Sequence, residues 1–238
     1  MKKLSARKIK KLLEFKLDVK IFDEITSTND YAKNVTCGAF FALRQTAGRG
    51  RTSRKFYSGE GGLYFSLALP LSQGEVIFGS RSQFSAGRLT VSAGIAVAKT
   101  LIDLGYDAQL KWVNDVFVGG KKVCGILAEG LGDKAVLGIG VNLASDIPDE
   151  LKDVAVSLGY DGDFNAVAAS IINGIARELS APDMDFFNAR CFTLGKRVRT
   201  RLGIGRAVGV TDSGALLVET DGTVSEVLSG EAEILSGD

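Results

Sequence analysis

The sequence contains no histidine. That removes the commonest general base and metal ligand, and with them every Ser-His-Asp or Cys-His triad. Cysteine is scarce as well. Cys37, Cys124 and Cys191 lie far apart with no C-x-x-C pair, which reads as reduced intracellular thiols and argues against a disulfide framework or a zinc site. No apolar run reaches 18 residues, so no membrane span is expected. No apolar stretch follows Lys2 and Lys3, so no secretory signal is expected either, and the expected location is cytoplasmic. Whatever chemistry the chain performs must run without imidazole and without a zinc cluster.

What is present is an ordinary globular composition: 238 residues, 45% apolar and 24% charged, enough for one large domain and a smaller appendage. Glycine is abundant at 29 residues, implying tight turns or places where backbone approaches a ligand. The net charge of +1 conceals an uneven distribution, because residues 1–16 alone carry +6. A basic arm of this kind can touch nucleic acid. The plainer and preferred reading is a solvated helix with Leu4, Leu12 and Leu13 leaning on the body.

Residues 18–25 alternate as a strand, Ser27-Thr28 reads as a helix start with a short helix over 29–35, and Phe40–Gln45 reads as a second strand. Residues 46–62 carry five glycines and four bases and read as a mobile loop. Leu63, Phe65, Leu67 and Leu69 repeat at period two, with Pro70 closing the strand. Residues 87–104 form an apolar helix ending at Gly105. Strands are expected at 108–112, 115–118, 122–129 and 134–143, with a hairpin at Gly119-Gly120. A helix over 163–179 starts at Asp163, and a shorter one runs from Pro182, taken as its first residue, to about 191. After Gly195 short strands alternate with Asp-Gly and Ser-Gly turns, the texture of a small SH3-like barrel. The class is therefore α+β: a mixed, mostly antiparallel sheet with helices packed on it, plus a C-terminal SH3-like β-barrel. The expected division is a basic extension over 1–17, a catalytic domain over 18–191 and the barrel over 192–238.

Three constellations carry chemistry. In Gln45 to Lys55, arginines set between glycines leave backbone free to wrap an anion, while guanidinium forks grip phosphate or carboxylate. Neither a Walker loop nor a dinucleotide fingerprint is present, and taken alone the stretch is equally a solvated loop. Lys111-Trp112-Val113-Asn114-Asp115 places a cation, an amide and a carboxylate at a strand end; a core Trp beside an Asn-Asp turn explains it as well. Gly125-Ile126-Leu127-Ala128-Glu129 and Gly138-Ile139-Gly140-Val141-Asn142 are apolar strands with glycines where a flat ligand could lie, or ordinary buried sheet.

Their order is more specific than any one of them. Ser27-Thr28-Asn29, Gln45 with Gly48-Arg49-Gly50-Arg51, Lys111-Trp112-x-Asn114-Asp115, Gly125-Ile126-Leu127-x-Glu129 and Gly138-x-Gly140-x-Asn142 together resemble the signature of the biotin protein ligase family, closely over residues 20–145 and more loosely through the barrel. The resemblance implies a class II synthetase-like ligase fold. It implies a two-step reaction in which biotin and ATP, with Mg²⁺, give biotinyl-5′-AMP, and the acyl group then passes to a lysine of a biotin carboxyl carrier protein.

By the same likeness Ser27, Thr28, Asn29 and Gln45 hold biotin, and Gly48, Arg49, Gly50 and Arg51 belong to a loop that orders over it. Lys111 meets the acyl-phosphate region, Asn114, Lys122 and Gly125 line the nucleotide side, and Asn142 reads adenine. Lys111, Arg49 and Arg51 are the expected catalytic cations. Metal ligands and a base for the transfer step are unassigned.

The sequence departs from the family pattern at Val113, where proline is usual, at Phe56, where tryptophan is usual, and at Gly59. Glu233-Ile234-Leu235 stands where an arginine reaching ATP is often found, so no nucleotide contact is assigned to the barrel. The first 17 residues are too short for a winged helix, so the expected form is the stand-alone enzyme without DNA binding, with a homodimer left open. A lipoate or octanoate ligase of the same fold is the nearest alternative. A nucleic-acid module is the remote one, because only Phe15, Phe56 and Tyr57 lie near the basic residues.

Overall fold

The computed structural model describes residues 4–52, 54–71 and 85–235; Lys2, Lys3 and Ser53 of the stretches discussed above lie outside the described residues. Seven strands form the main sheet: β1 (Val19–Ile25), β2 (Gly38–Gln45), β3 (Leu63–Pro70), β4 (Ala108–Lys111), β5 (Asp115–Val118), β6 (Lys121–Leu131) and β7 (Lys134–Val141), in the order β1-β2-β3-β7-β6-β5-β4. Only β1 and β2 run parallel; every other neighbouring pair is antiparallel. A parallel pair needs a crossover, and that crossover contains the short helix α2 (Thr28–Ala32), begun by Ser27, whose hydroxyl accepts the Asp30 N–H.

The two faces of the sheet are used differently. Phe65, Leu67, Leu137 and Ile139 point to a core shared with the long helices α3 (Ala86–Asp103) and α4 (Phe164–Ser180). These helices approach closely because their contact is built of small residues. A Cβ on Gly174 would stand 3.0 Å from the Ala96 Cβ. On the other face α2 seals a smaller cluster of Ala32, Phe40, Ala68 and Val136. Strand β3 is therefore buried along its whole length, and its serine, Ser66, faces the α2 side, bonded to Asn29.

The basic N-terminal segment is a helix, α1 (Ala6–Leu12), and Leu4 and Leu13 lean on the core as expected, but the expectation for Leu12 is corrected. Ile9 is completely buried and Leu4 nearly so, whereas Leu12 is 46% exposed. The cause is polar. Asn165 on α4 accepts the Ser5 N–H at 2.7 Å, while Asn173 donates to the Leu12 carbonyl at 3.0 Å and accepts the Glu14 N–H at 3.1 Å. Fixing the helix by its ends selects the Ile9 side and turns Leu12 outward. A second correction concerns Pro182: helix α5 (Met184–Arg190) is capped by Asp183, which accepts the Phe186 N–H at 3.0 Å. A carboxylate is the better cap, so the proline precedes the helix rather than opening it.

The C-terminal strands β8 (Arg197–Thr200), β9 (Gly203–Val210), β10 (Leu216–Thr220), β11 (Thr223–Val227) and β12 (Glu233–Ile234) form a second, wholly antiparallel sheet ordered β11-β10-β9-β8-β12, the SH3-like unit. It meets the main body through backbone. Trp112 Nε1 donates to the Gly214 carbonyl at 2.9 Å, and Ser85 Oγ donates to the Ser213 carbonyl at 2.8 Å. Gly214 has φ +86 and lies so close to Gly87 that neither can carry a side chain without a shift.

Candidate active site

A cavity of about 300 Å³ opens on the α2 face of the main sheet. The sheet is cleared there by glycine. Gly138 and Gly140 alternate on β7, and Gly125 of β6 pairs with Gly140. Side chains from outside the sheet take the space: the Asn29 amide lies on Gly138, and the Phe56 ring lies on Gly125 and Gly140. Glycine at these places is a matter of approach and not of backbone conformation, since none of the three has a positive φ.

One wall is a continuous polar chain. Gln45 Oε1 accepts the Thr28 N–H at 2.8 Å and the Thr28 hydroxyl at 3.1 Å, and Gln45 Nε2 donates to Ser58 Oγ at 2.9 Å. Ser66 Oγ donates to Asn29 Oδ1 at 2.5 Å, and Asn29 Nδ2 donates to Glu129 Oε2 at 2.9 Å. Ser27, Thr28 and Asn29 are buried, so their orientation is set by these partners rather than by solvent.

The opposite side is cationic. The described part of the glycine-rich stretch folds back as a narrow hairpin: Gly50 N–H bonds the Arg54 carbonyl at 2.7 Å and Phe56 N–H bonds the Gly48 carbonyl at 2.9 Å. Arg49 reaches Asp30 at 2.9 Å. Arg51 donates to Asn114 Oδ1 at 3.1 Å and to the Gly230 carbonyl at 2.5 Å, and Arg54 pairs with Glu231 at 2.5 Å. Lys122 pairs with Asp115 at 2.6 Å. Lys111 is different. It is half-buried at the end of β4, its Nζ lies 5.9 Å from the Phe117 ring, and among the described residues it has no carboxylate within ion-pair distance. The Trp112–Val113 peptide beside it is cis.

Cys124 adjoins this site but is no nucleophile, because complete burial pushes its thiol pKa well up despite the nearby Lys122 charge. Among the described residues no three His, Cys, Asp or Glu side chains converge as a metal cage.

Of the residues expected from sequence, Ser27, Thr28, Asn29, Gln45, Arg49, Gly50, Arg51, Lys111, Asn114, Lys122 and Gly125 line this one cavity. Two do not. Gly48 lies behind the wall, where a Cβ would crowd Ser58 Oγ at 2.5 Å. Asn142 is buried outside the lining: β7 ends at Val141, and the Asn142 backbone donates to Val123 and accepts from Leu158. The strand-end position that suggested an adenine reader is here engaged in joining β6 to the following segment. Sequence reasoning also missed residues. Glu231, Ala232 and Glu233 bring the C-terminal sheet to the rim, a part of the chain to which no site residue was assigned. Ser58, Ser66 and Asp30 were missed too; only Ser66, the one serine within the apolar run of β3, carried a visible signal.

An α+β scaffold with a glycine-cleared sheet face, a buried hydrogen-bonding wall and a cluster of cations offers complementary surfaces to a neutral polar group and an anion side by side. Comparison with known proteins narrows the class. Residues 21–146 match the biotin/lipoate A/B protein ligase family, and residues 193–235 match the biotin protein ligase C-terminal domain. The bifunctional ligase/repressor BirA of Bacillus subtilis is 32% identical over 222 residues, which are 81% of this chain and 65% of that protein, so the chain spans somewhat under two thirds of that relative. The biotin–[acetyl-CoA-carboxylase] ligase of Mycobacterium tuberculosis is 32% identical, covering 80% of this chain and 76% of that one. Among solved structures, biotin protein ligase from Aquifex aeolicus in complex with biotin and ATP superposes with a TM-score of 0.76 at 33% identity, covering 93% of this chain and 99% of that one. The chain therefore belongs to the biotin/lipoate A/B protein ligase family, and within it to the biotin protein ligases.

Proposed function

We propose that this chain activates biotin with ATP to biotinyl-5′-AMP and transfers the biotinyl group to a lysine of a biotin carboxyl carrier protein. The observation that carries the reading is the juxtaposition in one cavity of the Thr28–Gln45–Ser58 hydrogen-bonding wall and the carboxylate-free Lys111. A cyclic urea needs paired donors and acceptors held still. A carboxylate attacking a triphosphate needs fixed positive charge.

The chemistry agrees with the residues present. The biotin acid is already ionised at neutral pH, so the first step asks for no general base, and a chain without histidine can perform it. The difficulty is that an anion must approach a polyanion. Lys111, Arg49 and Arg51 are the cations assigned to the α-phosphate, where they offset that repulsion and stabilise the crowded transition state. Ser27, Thr28, Asn29 and Gln45 are assigned to biotin, with Asn114, Lys122 and Gly125 toward the nucleotide.

Among the described residues Mg²⁺ finds no protein cage. The rim carboxylates Asp115, Glu231 and Glu233 are already paired with Lys122, Arg54 and Arg199. The ion therefore belongs with the phosphates, as Mg²⁺ commonly does, and supplies charge neutralisation. We assign the chemistry to residues 18–191 and the closing rim to 192–238. No helix among the described residues is long and apolar enough to cross a membrane, and the demand for ATP favours a cytoplasmic setting.

The test is direct. Purified protein given ATP, Mg²⁺ and biotin should form biotinyl-AMP detectable by mass, and lipoate offered alone should form little; the reverse preference would move the assignment to a lipoate ligase. A further expectation concerns retention of the reactive anhydride, which a closed loop shields from water. Arg51 ties the hairpin to both Asn114 and the C-terminal sheet. Arg51→Gly should therefore release labelled biotinyl-adenylate about tenfold faster or more. An unchanged release rate would remove Arg51 from this role.

A further inference from the structure

Outside the cavity itself, Arg49 is the near end of a relay of alternating charge. Its Nη2 lies 2.9 Å from Asp30 Oδ2, and Lys33 lies 3.3 Å from the other oxygen, Oδ1. Lys33 then reaches Glu129 Oε1 at 2.8 Å, while Glu129 Oε2 accepts from Asn29 Nδ2 at 2.9 Å. Each carboxylate thus uses both oxygens, one toward Lys33 and one toward a cavity-lining side chain. Asp30, Lys33 and Glu129 are all about a quarter to a third exposed, so the pairs are neither fully screened nor costly to desolvate. Burial lowers the Lys33 pKa, but Glu129 and Asp30 outweigh it and hold the ammonium above the ordinary lysine value, as expected of a cation gripped from both sides.

We propose that Asp30, braced by Lys33 and Glu129, is the positioning residue for Arg49, holding its guanidinium over the cavity before the triphosphate arrives. The inference rests on the ligase reading given above and adds to it a residue outside the cavity lining. The physical need is clear. Arg49 stands between two glycines on a narrow hairpin, and an unanchored arginine there samples many rotamers. A single carboxylate removes that freedom. It occupies one face of a fork that carries five donors, so the remaining N–H groups stay available for phosphate without the Asp30 bond breaking. Asp30 is itself fixed: its N–H is capped by Ser27, and its neighbour Asn29 closes the relay on the biotin side. The two halves of the site, urea wall and phosphate cation, are thereby held in one register by α2.

The expected signature separates positioning from simple loss of structure. Asp30→Asn removes the anionic anchor and also removes a negative charge that repels ATP. Biotin-dependent pyrophosphate exchange should therefore lose kcat about tenfold with no rise in the KM for ATP. Biotin affinity by calorimetry and the melting temperature should stay near wild type, and Asp30→Glu should restore most of the rate. In an Arg49→Gln background, Asp30→Asn should cost nothing more. An equal loss in both backgrounds, a rise in KM together with weaker biotin binding, or an unchanged rate would overturn the proposal while leaving the ligase reading intact. A wild-type protein that shows no biotin-dependent exchange would overturn both.

Discussion

Lys111→Ala should slow biotin-dependent pyrophosphate exchange by about two to three orders of magnitude, the range found when one preorganised electrostatic partner is removed from a developing charge. The size of the effect follows from what the other cations are already doing. Arg49 is held by Asp30, Arg54 by Glu231 and Lys122 by Asp115, while Arg51 is spent on Asn114 and the Gly230 carbonyl. Lys55 has no such partner among the described residues but is exposed on the hairpin, where water screens it. Among the described cations lining the cavity, Lys111 alone combines partial burial with an uncommitted charge. Two unit charges 4 Å apart interact by about 4 kcal/mol at an effective dielectric of 20, ample for the predicted loss. Biotin binding should weaken much less, because the urea wall is untouched, and Lys111→Arg should recover part of the rate. Full exchange activity in Lys111→Ala would refute the electrostatic account of the first step.

The second large effect is expected at Gly138. A methyl group there would run into Asn29 Oδ1, with Cγ only 2.8 Å and Nδ2 3.0 Å away. Asn29 cannot yield freely: it is buried and bonded on one side to Ser66 and on the other to Glu129. Gly138→Ala should therefore cost about 1–3 kcal/mol of stability from overpacking. It should weaken biotin binding about a hundredfold by breaking the end of the wall, an estimate that equates two lost buried hydrogen bonds with about 2–3 kcal/mol. Gly140→Ala provides the contrast. Its new methyl would meet the Phe56 ring, at 2.5 Å from Cε1, but Phe56 is carried on the hairpin and can move aside, so biotin affinity should fall less. Titration calorimetry of the two variants beside their melting curves separates the outcomes. Equal affinity in Gly138→Ala and wild type would show that biotin does not depend on this wall.

Much of the architecture was legible beforehand. Alternation of apolar residues along β3, the long apolar run of α3, the paired glycines at the β5–β6 hairpin and the Asp-Gly turn of β10–β11 are local signals, and local signals survive into the fold because each concerns hydrogen bonds or burial within a few residues. Thr28, Asn29 and Gln45 of the polar wall were legible for a different reason, because their types and order resemble a family pattern, whereas its serines Ser58 and Ser66 were not. What failed failed physically. Leu12 was expected to lean on the body with Leu4 and Leu13, yet two asparagines on α4 oriented α1 by its ends. Asn142 was expected to meet a ligand because it followed an apolar strand; the structure places it outside the cavity lining and uses its backbone to join β6 to the next segment.

The sequence by itself determined the class of fold, the absence of imidazole chemistry and the set of cations and amides on which the site is built, because those depend on residue identity and short-range pattern. Only the tertiary structure decided which cations are committed and which remain available. Asp30, Glu129 and Glu231 lie 19, 96 and 177 residues from their partners Arg49, Lys33 and Arg54, and no local rule pairs charges across such separations. Packing the two sheets and α2 around one cavity brings Asp30 and Glu231 to the arginines they hold and leaves Lys111 without a carboxylate, and it is that distribution of partners, set by the whole chain, that assigns the reactive charge.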